Sequence, residues 1–191
     1  MILKIKQQPC CSGAGCCDSP DPKTETQTKI NEQAARKIQI DFLYLDLEVC
    51  TRCQGTDQVL DEAVADVQQI LQAAGVSAEI NKVNINAADL AIQYQFVSSP
   101  TIRINGRDID VDVKESLCES CGDLCGDSVD CRVWTYQGIE HNQPPKAMII
   151  NALLQAVYGP PVEIPANDGV ESYHLPENLK KFYEAMSKKE G

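Results

Sequence analysis

Hydrophobic positions first settle into a regular pattern at residue 37. In IQIDFLYLDL, 38–47, Ile38, Ile40, Phe42 and Tyr44 alternate with polar positions, and Leu43, Leu45 and Leu47 then fill the other set, as in a largely buried strand. Further on, Val59, Leu60, Ala63, Val64, Val67, Ile70 and Leu71 recur at helical spacing, with Thr56 and Asp57 suited to the start of the helix and Gly75 to its stop. VSAEINKVNIN, 76–86, predicts a second strand, parallel to the first because a helix-length crossover joins them. AADLAIQYQF, 87–96, predicts a short helix. A strand from Thr101, an Asn105-Gly106 turn and a further strand then predict a hairpin.

The regularity breaks at 114–143, where four cysteines stand among acidic and small residues in a stretch too irregular for a helix; we expect an inserted cysteine-rich module. PPKAMIINALLQAVYG, 144–159, returns to helix, with Pro145 in the first turn, Met148, Ile149, Ala152, Leu153, Ala156 and Val157 facing inward, and Gly159 as stop. After a Pro-rich linker, Leu179, Phe182, Tyr183 and Met186 predict a short terminal helix that docks on the domain. Residues 7–35 are polar, rich in Gly, Pro, Ser and Thr, and without periodicity. The organisation expected is a flexible cysteine-rich tail over 1–36, a domain over 37–159 carrying the insert, and a linker with the docked helix over 160–191. The fold class is α/β, a mixed sheet flanked by helices, with the insert before the last core helix.

Composition narrows the function. The chain has 191 residues, with 28 acidic against 17 basic, a net charge of -11; no basic stripe is available to displace counterions from a nucleic-acid backbone. No apolar run approaches the roughly 20 residues that span a bilayer, and the start lacks the apolar segment of a secretory signal, so a cytoplasmic protein without a membrane partner is expected. Ten cysteines in a reducing compartment point to metal binding or redox work, and with only two histidines, His141 and His174, any metal site is mostly thiolate. Such sites take zinc, copper(I), iron-sulfur clusters or a metalloid. No GxxxxGK or GxGxxG element is present, so no nucleotide cofactor is expected.

A strand followed by Cys50-Thr51-Arg52-Cys53 at the opening of a helix, then Ser99-Pro100-Thr101 ahead of a hairpin and a closing helix, resembles the thioredoxin-like superfamily. The whole chain, with CGDSVDCRVWTYQG, PPKAMIINALLQAVYG and PENLKKF, also looks like a cysteine-rich, thioredoxin-like prokaryotic family catalogued only as a domain of unknown function. The superfamily resemblance implies that Pro100 follows a cis bond beside the cysteine pair, and that Ser99 and Pro100 shape a groove whose exposed backbone can pair with an extended substrate. Val49 and Thr51-Arg52 stand where thioredoxin has Trp and Gly-Pro, which leaves the substrate open.

Three cysteine groups carry the candidate chemistry. Cys50 sits where unpaired amides and the helix dipole favour a thiolate, with Arg52 adding a cation nearby and Asp46 and Glu48 opposing it; Cys50 is then the attacking thiol and Cys53 the resolving one. The alternative is that this pair is half of a zinc site. Cys118-x2-Cys121-x3-Cys125-x5-Cys131 can surround one ion tetrahedrally, as structural zinc, as a functional soft-metal or metalloid site, or else oxidise to two disulfides. Cys10-Cys11-x4-Cys16-Cys17 carries adjacent pairs suited to capturing trivalent arsenic, mercury(II) or copper(I), similar to the vicinal thiols of arsenical metallochaperones, or without a dedicated partner. Two functions remain: a thiol-disulfide oxidoreductase with a protein disulfide or thiol as partner, or a protein that binds or delivers a soft metal or metalloid ion.

Overall fold

The computed structural model describes residues 36–126, 128–160 and 173–189. Strand β1 (Arg36–Tyr44) pairs in parallel with β2 (Val76–Asn84), and the connection between them is the long helix α1 (Thr51–Ala73). A short helix, α2 (Ala88–Gln93), leads to β3 (Thr101–Ile104), which lies antiparallel on the other side of β1 and turns back into β4 (Arg107–Asp108). The sheet order is β2-β1-β3-β4. Asn105 and Gly106 have φ of 51° and 80°, the left-handed pair that a two-residue hairpin turn needs to match strand twist. The α/β class expected from the sequence is the class observed.

The strand period of two sorts the core into two halves. Ile38, Ile40 and Phe42, with Ile102 and Ile104, pack with Leu60, Ala63, Val67 and Leu71 of α1 and with Met148, Ile149, Leu153 and Val157 of helix α4 (Lys146–Tyr158). Leu43 and Leu45 belong instead to a second cluster with Ile85, Phe96, Val129 and Leu179, Phe182 and Tyr183 of helix α5 (Glu177–Lys189). Six cysteines lie in that second cluster: Cys50, Cys53, Cys118, Cys121, Cys125 and Cys131. Each buried Leu, Ile or Phe contributes about 2 kcal/mol, so packing rather than propensity fixes these elements.

Three boundaries differ from the sequence expectation. β1 ends at Tyr44 because the Asp46 carboxylate accepts the amides of Glu48, Val49 and Cys50 (2.9, 2.5 and 3.3 Å) and turns the chain. Helix α1 starts at Thr51, ahead of Thr56 and Asp57; Cys50 is its N-cap and Thr56 is fully buried. The 114–143 stretch is regular rather than irregular. It forms β5 (Lys114–Leu117), helix α3 (Glu119–Cys125), β6 (Asp130–Tyr136) and β7 (Ile139–His141), with an antiparallel sheet in the order β5-β6-β7. Cysteines here act as small apolar residues: Cys118, Cys121 and Cys125, spaced i, i+3 and i+7, bury one helical face. Gly126 stops α3 in the left-handed region at φ 76°.

The insert is fastened to the main sheet by Arg132. Its fully buried guanidinium donates to both Asp108 carboxylate oxygens (2.8 and 3.0 Å), to Thr101 Oγ1 (2.8 Å) and to the Asp110 carbonyl, and lies 4.6 Å from the Trp134 ring centre. Helix α5 is held from the other side, where Tyr183 Oη donates to the Ile85 carbonyl (2.8 Å) and Asn178 Nδ2 to the Asp130 carbonyl (2.7 Å). The tail pairs Cys10, Cys11, Cys16 and Cys17 lie outside the described residues. Among the described residues no helix is long and apolar enough to cross a membrane.

Candidate metal centre

Three elements converge on one point in the second core cluster. The N-terminus of α1 brings Cys50, the N-cap and first face of α3 bring Cys118 and Cys121, and β6 brings Cys131. The sulphurs of these four residues all lie within 4.8 Å of one another, and all four residues are buried. The sulphurs of Cys121 and Cys131 lie 3.3 Å apart. Tetrahedral ligation at about 2.3 Å per thiolate calls for sulphurs about 3.8 Å apart, so small side-chain adjustments complete the shell.

The membership differs from the sequence expectation. Cys118, Cys121 and Cys131 come together as expected, but the fourth thiol is Cys50, from the opening of α1. Cys125 is buried on the next turn of α3, with Sγ 4.0 Å from the Gly122 carbonyl, and is not in the quartet. The geometric reason is the short length of α3: Cys121 and Cys125 are one turn apart, and the chain reaches Cys131 only after reversing at Gly126. Cys53 also stands outside the quartet. Its amide points at Cys50 Sγ (3.4 Å), and its own sulphur lies 3.3 Å from Ser99 Oγ.

The Ser99-Pro100 bond is cis, as the resemblance implies. Ser99, however, is 1% exposed: its Oγ accepts the Leu45 amide (3.1 Å) and its carbonyl accepts the Arg132 amide (2.7 Å), so strand β6 takes the backbone that an extended substrate would use. Arg52, expected as a cation near Cys50, directs its guanidinium at backbone carbonyls. It donates to the carbonyls of Leu117 (2.9 Å), Cys131 (3.0 Å), Ser116 (3.4 Å) and Arg132 (3.4 Å). The Asp46 carboxylate accepts the amides of Glu48, Val49 and Cys50 itself. Ser120, which the sequence reading missed, lies 3.3 Å from Thr51 Oγ1, accepts the Thr51 amide and stands 3.5 Å from Cys118 Sγ. Its only signal was its place between two cysteines.

Electrostatics divide the thiols. Hydrogen bonding from Cys118, and then from Cys121, Cys131 and Cys53, drives the Cys50 pKa far below the usual thiol range, against the upward push of burial. Cys121 and Cys131 hold Cys118 down to about 6. The protons stay on the donors: the interaction with Cys118 raises both Cys121 and Cys131, and the interaction with Cys50 raises Cys53. Four buried sulphurs that share their protons in one contact group form a donor set that a soft cation could neutralise and that apolar surroundings alone leave uncompensated.

Residues 38–153 match the family described as Domain of unknown function (DUF2703). No curated protein and no solved structure matches the chain.

Proposed function

Because the chain belongs to the Domain of unknown function (DUF2703) family, whose description carries no activity, we propose its function from the thiol geometry alone: it binds one soft metal or metalloid ion through Cys50, Cys118, Cys121 and Cys131. The observation that carries this reading is the mutual approach of four buried sulphurs within 4.8 Å, drawn from three separate elements. Zinc, copper(I) and trivalent arsenic all suit an all-thiolate, oxygen-free donor set. A reducing, cytoplasmic setting keeps such thiols available. The adjacent pairs Cys10-Cys11 and Cys16-Cys17 add a second thiophilic element, for first capture of the ion.

A second reading, thiol-disulfide exchange by Cys50 and Cys53, is favoured by a specific observation: Cys50 is the N-cap of α1, with the Cys53 amide directed at its sulphur. The sheet order β2-β1-β3-β4, with β1 and β2 parallel and β3 and β4 antiparallel, supports the thioredoxin-like resemblance behind it. Against turnover on protein partners stand the complete burial of both thiols and the engagement of Ser99 by β6. The test is metal analysis of protein purified without oxygen, beside a count of reactive thiols. One soft-metal equivalent per chain, with four of the ten thiols protected from alkylation and returned by a chelator, is the expected result. Protein that takes up neither zinc nor arsenite, yet reduces a disulfide substrate through Cys50, would hand the assignment to the redox reading.

A further inference from the structure

The quartet has an assembly problem that its ligands do not solve. Cys50 belongs to the main domain, whereas Cys118, Cys121 and Cys131 belong to the insert, so the site exists only while the insert is seated on the start of α1. We propose that Arg52, between the two cysteines of the CxxC pair, is the positioning residue that seats the insert and thereby sets the metal affinity of the quartet. This inference rests on the metal-binding reading above.

Four contacts carry it. The guanidinium of Arg52 donates to the carbonyls of Ser116 and Leu117 at the end of β5, and to those of Cys131 and Arg132 in β6. Leu117 directly precedes Cys118, and Cys131 is itself a quartet member. One side chain thus grips the backbone at two of the three insert ligands while its own backbone lies two residues from Cys50. A planar fork with five donors can span two strands in this way; the three donors of an ammonium on a flexible stem cannot reproduce the spread. Thr51 and Ser120 add a lesser contact of the same kind (3.3 Å), on the α3 side. Around the ion, four thiolates and a divalent cation carry a net charge of -2, and a guanidinium fixed on the Cys131 carbonyl partly offsets it.

Groups that orient metal ligands without touching the metal typically change affinity about 10–100-fold when removed. The test uses the reduced, full-length chain with Cys10, Cys11, Cys16 and Cys17 replaced by Ser, so that the count reports the quartet. Cobalt(II) is titrated, and the sulphur-to-cobalt charge-transfer intensity and the d–d bands report thiolate number and tetrahedral geometry. Arg52→Met is expected to lower affinity about 10–100-fold and to weaken the charge-transfer band, with Arg52→Lys intermediate in both. In the metal-free protein, hydrogen exchange of the amides in 114–117 and 130–136 is expected to rise in Arg52→Met while the centre of α1 stays protected.

Unchanged cobalt affinity and spectrum in Arg52→Met would overturn the inference. So would Arg52→Lys matching the parent in every readout, since charge alone would then suffice. If the parent itself takes up no cobalt, the metal-binding reading falls, and the hydrogen-exchange comparison still decides whether Arg52 seats the insert. Should Arg52→Met fail to fold, Arg52→Lys supplies the same comparison.

Discussion

At Cys50 the sulphur meets two sets of partners. Within its own helix it accepts the Cys53 amide; from outside come the thiols of Cys118, Cys121 and Cys131. The Cys53 amide is compatible with ligation of the same sulphur, but disulfide exchange is not: a bound ion withholds Cys50 from exchange, and a Cys50–Cys53 disulfide removes one ligand from the ion. Cys53→Ser is therefore expected to keep one metal per chain, measured by mass spectrometry of the anaerobic protein. Affinity has a definite sign with pH. Binding four thiolates expels the protons held on Cys121 and Cys131, so acid favours the metal-free form, and apparent affinity is expected to fall at least about tenfold per pH unit on acidification from neutrality. Chelator competition at a series of pH values reads this directly. That Cys50 stands at a helix start was legible from the sequence, because local chain geometry decides it. That its partners are insert cysteines was not, because the contact joins residues far apart in the chain and no spacing rule links them.

Among the elements, the insert departs most from its sequence reading. Its strands and helix are short, its apolar positions are largely cysteines, and its Gln137-Gly138 turn is a left-handed pair (φ 52° and 79°) equivalent to the Asn105-Gly106 turn that the sequence did announce. The long amphipathic α1, by contrast, was plain from its period, and only its start shifted, because a capping Cys50 is not among the residues that signal an N-cap. Arg132 is a second tie between insert and main sheet, and its burial is tolerable only because Asp108, Thr101 and the Asp110 carbonyl accept from it. Arg132→Met is expected to cost about 1–3 kcal/mol, because Thr101 Oγ1, the half-buried Asp108 carboxylate and the Asp110 carbonyl each lose a donor, read as a lowered denaturation midpoint. Tyr183→Phe, which removes only the bond from α5 to Ile85, is expected to cost about 1 kcal/mol in the same assay.

For the molecule as a whole, an ion held by the quartet would staple the sheet-and-helix core to the insert. Metal at about a thousand times its dissociation constant stabilises the folded chain by about 4 kcal/mol, so loading is expected to raise the melting temperature by about 10 °C and a thiol-competent chelator to reverse it. The parallel pair β1–β2 and the β3–β4 hairpin were accessible from alternating strands, a crossover helix and the Asn105-Gly106 turn. The division of six cysteines into a quartet and two bystanders was not, since it depends on how three elements pack. The most direct test of the account is cobalt(II) uptake by Cys50→Ser beside Cys125→Ser, in full-length protein whose four tail cysteines are replaced by Ser. The account predicts that Cys125→Ser keeps one tetrahedral, four-thiolate equivalent while Cys50→Ser loses that spectrum and most of the affinity. Retention by Cys50→Ser with loss in Cys125→Ser would contradict it, returning the site to the insert alone.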